Sequence, residues 1–580
     1  MTALVAAVPA ASVAPVASWA VVAALGLVAL YFVVRFDVFA LLAFERIDPR
    51  PAALYRIVFG LVVLWAMVDL LPWAEILMTD EGIYLPSRAR RSFGGRLDEL
   101  WDPEHGFEGP LAALRALATR GSILHLRADP PFVHAVFVAA IAALVAMIVG
   151  YRTRVATLLA WWLVEQIYRY DPIYYNGGDI VVRIFLFLGV FTDWGRAYSL
   201  DAWRNRRRAI AEGDGRIPPL RRIPAWPLRL AMLQLAIIYT ATGWLKMGET
   251  WWNGTALYYA LSLDHFVRWP MSSLAAWGQR TGVLWVATHL VHAWEMLFPL
   301  AVVGAIVRGY LRHRDAGTWP HAGPARRWAG HLAACTACGL AGFAGGHAVA
   351  AYLPPHVRRA AAVSWTEAAV LGPVLAAVGV AAYAAFVALC LRAPGRARTL
   401  ARTALGLGPW LGFGFLMHLG IDLLMNVGIF AEVMIATYLA WLSGRHVDRW
   451  WRIVGTRRSP PPPDVGPWHA LLSLPVRLAR RVPRPSYVVA HAPDERAVRR
   501  ATLLRPWDLA GRLRFDEAPD LAAGAVELRD PSGKPLSVAS AGAALARILP
   551  GLWPWVLVAW IGPVGRFVAR RFLDADVRGA

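Results

Sequence analysis

The sequence predicts an α-helical membrane protein that crosses the bilayer many times and ends in a small soluble α/β domain. Of its 580 residues, 57% are hydrophobic and only 17% are charged, and the mean hydropathy is +0.44. A soluble enzyme of this length would carry more charged residues. The 28 tryptophans suit a chain with many helix ends anchored at membrane interfaces.

Apolar runs of roughly 17 to 25 residues are long enough to cross a bilayer as helices. The first such run lacks a preceding basic segment and is longer than the apolar part of a signal peptide, so we expect it to be a span. About eleven spans are predicted in total, at residues 17–40, 51–72, 131–150, 154–168, 179–195, 226–246, 281–308, 330–352, 366–391, 405–424 and 427–444.

The distribution of arginine predicts the orientation of these spans. The net charge is +21, which a nucleic-acid-binding protein also shows, but here the arginines cluster in alternate links between apolar runs, as the positive-inside rule requires. We therefore expect no nucleic-acid partner. The links predicted to be cytoplasmic are 152–154, 196–222, 308–327, 392–402 and 445–458. An extracytoplasmic N-terminus and a cytoplasmic C-terminus follow, in a bacterial inner or cell membrane.

The last part of the chain has the composition of a linker and a soluble domain. Residues 446–484 are basic and contain S-P-P-P-P-D, which is typical of a stiff linker. Residues 485–580 contain a strand at P-S-Y-V-V-A-H-A, a helix, a second strand at G-R-L-R-F and a hairpin around D-P-S-G-K. The apolar tail after residue 550 is interrupted by proline and glycine, so an interfacial or docked helix is predicted instead of another span.

Lysine is almost absent from this chain, which draws attention to the two that remain. Among 60 basic residues other than histidine, only Lys246 and Lys534 are lysines. Lys246 lies at the end of a long apolar run, where its amine could act as a base or nucleophile, which an arginine cannot do. The alternative is a lysine that extends to the membrane interface and has no chemical role.

Other polar residues are predicted at a similar depth in the membrane, which indicates one polar cavity open to the outside. The candidates for this cavity are Asn176, Asp179, His289, His292, Glu295, His418 and Asp422. His289, His292 and Glu295 recur every three residues and share a helical face. This face suits a proton relay, polar packing or, less readily, a metal ion, for which a fourth ligand is missing. No metal site is therefore predicted.

Three pairs of residues are three or four positions apart in the sequence, so each pair is expected to lie on one face of a helix. Asp179 and Arg183 are four residues apart, as expected for a buried structural ion pair. His418 and Asp422 have the same spacing and form either a pair that sets the histidine tautomer or a local helix contact. The C-x-x-C of Cys335 and Cys338 lies in an alanine- and glycine-rich run, which favours helix packing over a disulfide.

Several motifs in order resemble the HTTM-domain family, membrane proteins related to vitamin K-dependent gamma-carboxylase. They are F-E-R-I-D-P-R-P-A-A-L-Y-R-I-V-F-G, M-T-D-E-G at 78–82, N-G-G-D followed by L-F-L-G-V-F and S-L-D-A-W, Y-T-A-T-G-W-L-K-M-G-E-T-W-W-N-G-T-A, and M-H-L-G-I-D-L-L-M-N-V-G-I-F. The resemblance covers residues 44–445 of a transmembrane domain at 1–445. Residues 17–43 are then an extra N-terminal span, and 309–402 an insertion of two spans.

The resemblance implies a chemistry for Lys246. The carboxylases use the lysine of their K-x-x-x-x-W segment as a base toward reduced vitamin K, and this lysine corresponds to Lys246, with Trp251 or Trp252 after it. They also have a histidine where this chain has Gly177 or Gly178. This departure puts carboxylation in doubt and suits a different lipid-quinol or lipid-linked reaction, or a binding role. The resemblance implies reduced vitamin K or menaquinol as the quinol, and a secreted protein as the other substrate class.

The C-terminal domain resembles the thioredoxin-like DCC family. The D-G-D-C-x-x-C signature of that family falls on H-A-P-D-E-R-A, where Asp494 and Ala497 replace the cysteines. A thiol redox role is excluded without these cysteines, so a structural or regulatory role is expected.

Two functions from different classes remain. The first is a membrane enzyme, carboxylase- or lyase-like, with Lys246 as the base. The second is a lipid-binding or transporter-like protein with a polar outer cavity, which broken helices would favour.

Overall fold

The computed structural model describes residues 15–92, 121–171, 176–212, 220–246, 248–352, 368–448, 486–502 and 512–537, with a few isolated positions near 101–114 and 504–545. The chain divides into two compact units, Met1–Leu442 and Ser443–Ala580. The predicted apolar tail after residue 550 and most of the linker at 446–484 lie outside the described residues.

The first unit is built almost entirely of helices. Short antiparallel strands join two of its loops, β1 (Arg46–Ile47) with β4 (Ile223–Pro224) and β2 (Trp101–Asp102) with β3 (Gly106–Phe107). In chain order the α-helices are α1 (Pro15–Val34), α2 (Phe36–Phe44), α3 (Pro49–Leu70), α4 (Ala74–Met78), α5 (Pro86–Ser92), α6 (Pro130–Val149), α7 (Thr153–Tyr168), α8 (Gly177–Val190), α9 (Leu200–Glu212), α10 (Trp226–Leu245), α11 (Glu249–Trp252), α12 (Ala256–Leu261), α13 (Ser272–Arg280), α14 (Val283–Leu297), α15 (Pro299–Asp315), α16 (Pro324–Tyr352), α17 (Ala368–Arg392), α18 (Pro394–Arg402), α19 (Phe413–Leu424) and α20 (Phe430–Thr437).

Each of the predicted apolar stretches is helical, but fewer of these helices are long enough to cross a bilayer by themselves. Among the described residues, five helices have the length and hydropathy of a span, and up to seven if each bent pair counts as one. Helices α7, α8, α19 and α20 have 16, 14, 12 and 8 residues. The fold is therefore that of a helical membrane protein with five to seven candidate spans.

Two stretches predicted as single spans are broken. The stretch at 17–40 bends by 91° between α1 and α2, and that at 281–308 bends by 48° between α14 and α15. The second break coincides with Pro299, which has no N–H to donate and clashes with the preceding turn of a helix. At the first break Arg35 leaves helical geometry, and its buried guanidinium pairs with Asp37.

A buried arginine holds the centre of the unit together. Arg56 of α3 is fully buried, and it donates to the carbonyl oxygens of Trp194 at 2.7 Å and Tyr198 at 2.6 Å. These carbonyls lie in the irregular segment after α8, where helix hydrogen bonds do not satisfy them. Helix α3 also packs against α6 and α20, so Arg56 ties this segment to the main apolar core.

Helices α1, α16 and α17 form a separate three-helix group, which we call the satellite group. Glycines allow close contact between α16 and α17, since a Cβ atom on Gly342 or Gly346 would lie 2.1 or 2.3 Å from a carbonyl oxygen of α17. Cys335 and Cys338 lie on α16 as free thiols, consistent with the predicted packing role. An apolar groove of about 800 Å³ lies between α1, α16 and Trp244 of α10.

The second unit contains the predicted strands and helix. Strand β5 (Tyr487–His491) pairs in parallel with β6 (Leu513–Glu517) and antiparallel with β7 (Val526–Arg529), and helix α21 (Glu495–Thr502) follows β5. The D-P-S-G-K turn forms with Gly533 at φ 90°, although its second arm is only a bridge between Arg529 and Pro535. Hydrogen bonds from the N–H groups of Gly524, Ala497 and Arg496 hold the pKa of Asp494 below its ordinary value.

Candidate functional site

Helix α10 ends at Lys246. The Lys246 N–H donates to the carbonyl of Gly243 at 3.2 Å, and the lysine backbone leaves helical geometry. A lysine at this position carries its ammonium beyond the last turn, where the unpaired carbonyls of a helix end favour positive charge. The apolar face before it, with Leu235, Ala236 and Tyr239 buried, fixes α10 against the core.

A close crossing of α10 and α14 brings Lys246 to its partner. A Cβ atom on Gly243 would lie 2.6 Å from the backbone nitrogen of Met296, so only glycine fits there without a shift of one helix. His292 of α14 makes a 3.0 Å hydrogen bond from Nε2 to the Gly243 carbonyl. The same oxygen also accepts the Lys246 N–H, so the last turn of α10 is bonded both to its own end and to α14.

Lys246 and Glu295 form an ion pair at this crossing. Lys246 Nζ lies 2.5 Å from Oε1 of Glu295 and also donates to Oε2. The Glu295 side chain is 7% exposed and that of Lys246 is 26% exposed, so the amine is the accessible member of the pair. The same Nζ lies 4.8 Å above the ring of Trp251, an arrangement that stabilises the ammonium.

The two predicted histidines of α14 have separate local partners. The His292 ring packs near Trp251 and Trp252, with centroids 5.7 and 6.2 Å away. His289 makes contacts with the carbonyls of Trp285 at 2.9 Å and Trp252 at 3.2 Å. Within the described part of the chain, no group of three or more His, Cys, Asp or Glu side chains is placed to hold a metal ion.

A second polar cluster lies inside the same core. The Tyr239 hydroxyl is 2.8 Å from Nε2 of His418 and 2.6 Å from the hydroxyl of Tyr438. Trp294, the neighbour of Glu295, packs on the Tyr239 ring with centroids 4.7 Å apart. Tyr438 is absent from the residues predicted for the site, because a tyrosine near the end of an apolar run usually marks only a membrane interface.

The predicted pairing of His418 with Asp422 is wrong. His418 is 1% exposed, bonds to Tyr239 and leaves Nδ1 without a hydrogen-bond partner in the described structure. Asp422 instead meets Arg268 at 3.3 Å. The two residues share a helix, but contacts with neighbouring segments give each a stronger partner than a local contact would.

Asp179 and Arg183, the other predicted pair, also have closer partners, although an electrostatic interaction between the two remains. Arg183 forms a bidentate salt bridge with Glu165 of α7, in which Nε and Nη2 donate to the two carboxylate oxygens at 2.6 and 2.7 Å. The planar guanidinium suits this geometry better than a contact along one helix. Asp179 instead accepts the Asn176 N–H at 2.9 Å, while the Asn176 side chain accepts from the N–H groups of Gly178 and Asp179.

Asn176 and Asp179 therefore act first as the N-terminal cap of α8. Their end of α8 lies beside the α20 N-terminus, since a Cβ atom on Gly178 would lie 2.9 Å from Cα of Phe430. The Phe430 ring in turn packs on His418, with centroids 5.3 Å apart. Where the sequence predicts one polar cavity, the described residues form two polar clusters. One contains Lys246 and Glu295, and the other contains Tyr239, His418 and Tyr438.

The comparisons with known proteins connect this geometry to one family. The HTTM domain family model matches residues 124–312, a range that includes Asn176, Asp179, Lys246, His289, His292 and Glu295 and ends before His418. No curated protein and no solved structure matches the chain. The match supports a membrane protein related to the vitamin K-dependent carboxylase family. Residues 124–312 are thus similar to the HTTM domain family, and they lie within the range 44–445 whose motifs resemble it.

Proposed function

We propose that the chain is a membrane enzyme in which Lys246 acts as a base on a lipid quinol, with Glu295 as the partner that controls its proton. The ion pair between Lys246 and Glu295 carries the proposal. It joins a partly exposed amine to a buried carboxylate within the segment that matches the family model. Ionisable residues inside a membrane domain are expensive to keep, which favours a functional role for the pair.

The ion pair explains how an ammonium could become a base. Two desolvated charges are costly, and one proton moving from Nζ to Glu295 converts them to a neutral pair without changing the net charge. The neutral amine then accepts a proton from a quinol hydroxyl, and Glu295 keeps the first proton. Trp251 favours the resting ammonium, so a ligand that displaces its ring would favour the neutral amine.

The topology in this proposal is that of the sequence prediction. Eleven spans place the Lys246 end of α10 on the extracytoplasmic side and the C-terminal unit in the cytoplasm. The short helices α7, α8, α19 and α20 would then be spans completed by adjoining residues. A reporter fused after Pro463 tests this orientation, since extracytoplasmic activity of the reporter would reject it.

The C-terminal unit is proposed to be a DCC-like thioredoxin relative without its cysteines. A parallel pair of strands, β5 and β6, with a helix between them and β7 antiparallel on the other side supports this relation. The Asp494 side chain accepts from the N–H groups of Arg496 and Ala497 at the start of α21, where the redox cysteines of the family stand. The unit is therefore proposed to be structural or regulatory.

A binding function without chemistry is the second candidate. The bend between α14 and α15 follows directly after Glu295 and Phe298, and broken helices near a polar site are a feature of transporters. In this alternative Lys246 binds an anionic or quinone headgroup and transfers no proton.

The two lysines of the chain allow a matched experiment. Purified protein in nanodiscs receives menaquinol in the presence of oxygen, and quinone-derived products are followed by mass spectrometry. Lys246→Arg should lower kcat/KM by about 10²-fold or more, since general acid–base groups contribute on that scale, while Lys534→Arg should match the wild type. Normal turnover by Lys246→Arg would reject Lys246 as the base, and quinol binding without turnover by the wild type would favour the second candidate.

A further inference from the structure

Helix α9 forms a basic and aromatic surface at the end of a candidate span. Two of its arginines stack on aromatic rings, Arg204 over Tyr151 and Arg207 over Trp203, each 5.0 Å from the ring centroid. Arg208 is exposed beside them. Within the described residues none of the three guanidinium groups forms a hydrogen bond or a short ion pair, and Asp201 acts on Arg204 only at longer range, so their N–H groups remain available for a ligand.

The surface is held rigidly against the membrane domain. Asp201 of α9 accepts the N–H groups of Arg152 at 2.9 Å and Thr153 at 2.7 Å, and its own N–H donates to the Gly150 carbonyl at 3.0 Å. Gly150 ends the candidate span α6 in a left-handed conformation. Partial burial alone would raise the pKa of Asp201, but hydrogen bonds from Thr153 and Arg152 hold it below its ordinary value.

Buried groups add to this attachment. Arg56, inside the core, donates to the carbonyl of Tyr198, two residues before α9. A Cβ atom on Gly150 would lie 2.2 Å from Cβ of Ser199, so this segment packs directly on the helix end. The arginines of α9 are therefore presented at a fixed position next to the end of a membrane-crossing helix and do not belong to a free loop.

We propose that Arg204, Arg207 and Arg208 bind the phosphate headgroup of an anionic phospholipid at this interface. A guanidinium stacked on a ring exposes its N–H edge, which can hold a phosphate through two parallel hydrogen bonds. The exposed tyrosine and tryptophan rings are of the type that lies at the headgroup level. Positive charge at the membrane surface also attracts anionic lipids.

The test measures lipid retention by the full-length protein. The protein is purified from vesicles of equal phosphatidylglycerol and phosphatidylcholine, and bound lipid is counted by native mass spectrometry. The wild type should retain phosphatidylglycerol, and the triple variant Arg204→Gln, Arg207→Gln, Arg208→Gln should lose about tenfold or more, as expected when several surface charges act together. Inorganic phosphate at equal concentration should not compete, because it lacks the chains that hold a lipid at the interface.

A matched variant separates a site from a general charge effect. Arg326→Gln, Arg327→Gln, Arg392→Gln removes the same charge from exposed arginines elsewhere and should retain lipid like the wild type. Equal losses from both triple variants, or no loss from the first, would overturn the proposal. Replacing the three α9 arginines by lysine keeps the charge but removes the planar fork, so wild-type retention by that variant would overturn the stacked-guanidinium geometry.

Discussion

The crossing of α10 with α14 and the crossing of α16 with α17 are both closely packed at glycine, but they differ in the side chains they bring together. In both, glycine brings two helix backbones close together: Gly243 in the first and Gly342 and Gly346 in the second. At the first crossing the helix ends carry Lys246, Glu295 and His292, which meet there. The second is surrounded mainly by alanine and glycine, with Phe343 and His347 beside it, and has no ion pair among the described residues. Close helix packing therefore provides the scaffold in both regions. The side chains at the crossing decide whether a polar site forms there.

The largest expected difference between the α10–α14 crossing and the satellite group is in the free energy of unfolding after one acidic partner of an ion pair is removed. Glu295→Ala removes the buried carboxylate, leaves the partly exposed Lys246 ammonium without its partner, and should lower the free energy of unfolding by about 3 kcal/mol. Asp315→Ala, which breaks the exposed pair with Arg398 beside the satellite group, should cost less than about 1 kcal/mol. Reversible unfolding in mixed micelles measures both values, and similar losses would contradict the burial argument.

A smaller loss of stability is expected when the glycine at either crossing is replaced by alanine. Gly243→Ala and Gly346→Ala both place a methyl group against backbone atoms, and each should lower the free energy of unfolding by about 1–3 kcal/mol. Only Gly243→Ala should also change the reactivity of Lys246 toward an acylating reagent. A change in that reactivity in Gly346→Ala would show that the two crossings are coupled.

The smallest effect is expected from single hydroxyl groups. Tyr239→Phe removes the group that joins His418 to Tyr438 and should cost about 2 kcal/mol, because two buried polar groups lose a partner. Tyr383→Phe in the satellite group removes one contact with His331 and should cost about 1 kcal/mol. Equal losses in these unfolding measurements would indicate that the Tyr239 cluster is no more than another local contact.

The positions of the helices follow from the sequence, but their continuity does not. Apolar runs predict where helices form because burial in lipid requires satisfied backbone groups along the whole run. The bend after α14 has a visible signal in Pro299, whereas the 91° bend at Arg35 depends on the Asp37 contact and has no comparable mark. Strands β5, β6 and β7 were predicted from alternation and turn residues, which are local signals.

The sequence indicates the individual residues of the site better than it indicates which of them contact each other. Lys246 and Glu295 each stand out as ionisable residues in apolar runs, but their pairing depends on a helix contact 49 residues apart in sequence. Spacing favours His418 with Asp422, but His418 bonds to Tyr239 on another helix and Asp422 pairs with Arg268. Tyr438 has no local signal, since only its contact with Tyr239 distinguishes it.

The rates at which Lys246 and Lys534 are acylated test the central claim most directly. A water-soluble acylating ester reacts only with a neutral amine, and peptide mapping by mass spectrometry separates the two sites, with Lys534 as the internal reference. If the ionised Glu295 carboxylate keeps the resting Lys246 protonated, Lys246 should react more slowly than Lys534. Glu295→Gln should then speed its reaction by about tenfold, equivalent to about 1.4 kcal/mol, and leave Lys534 unchanged. Equal rates at the two lysines in the wild type, or no acceleration in Glu295→Gln, would contradict the account.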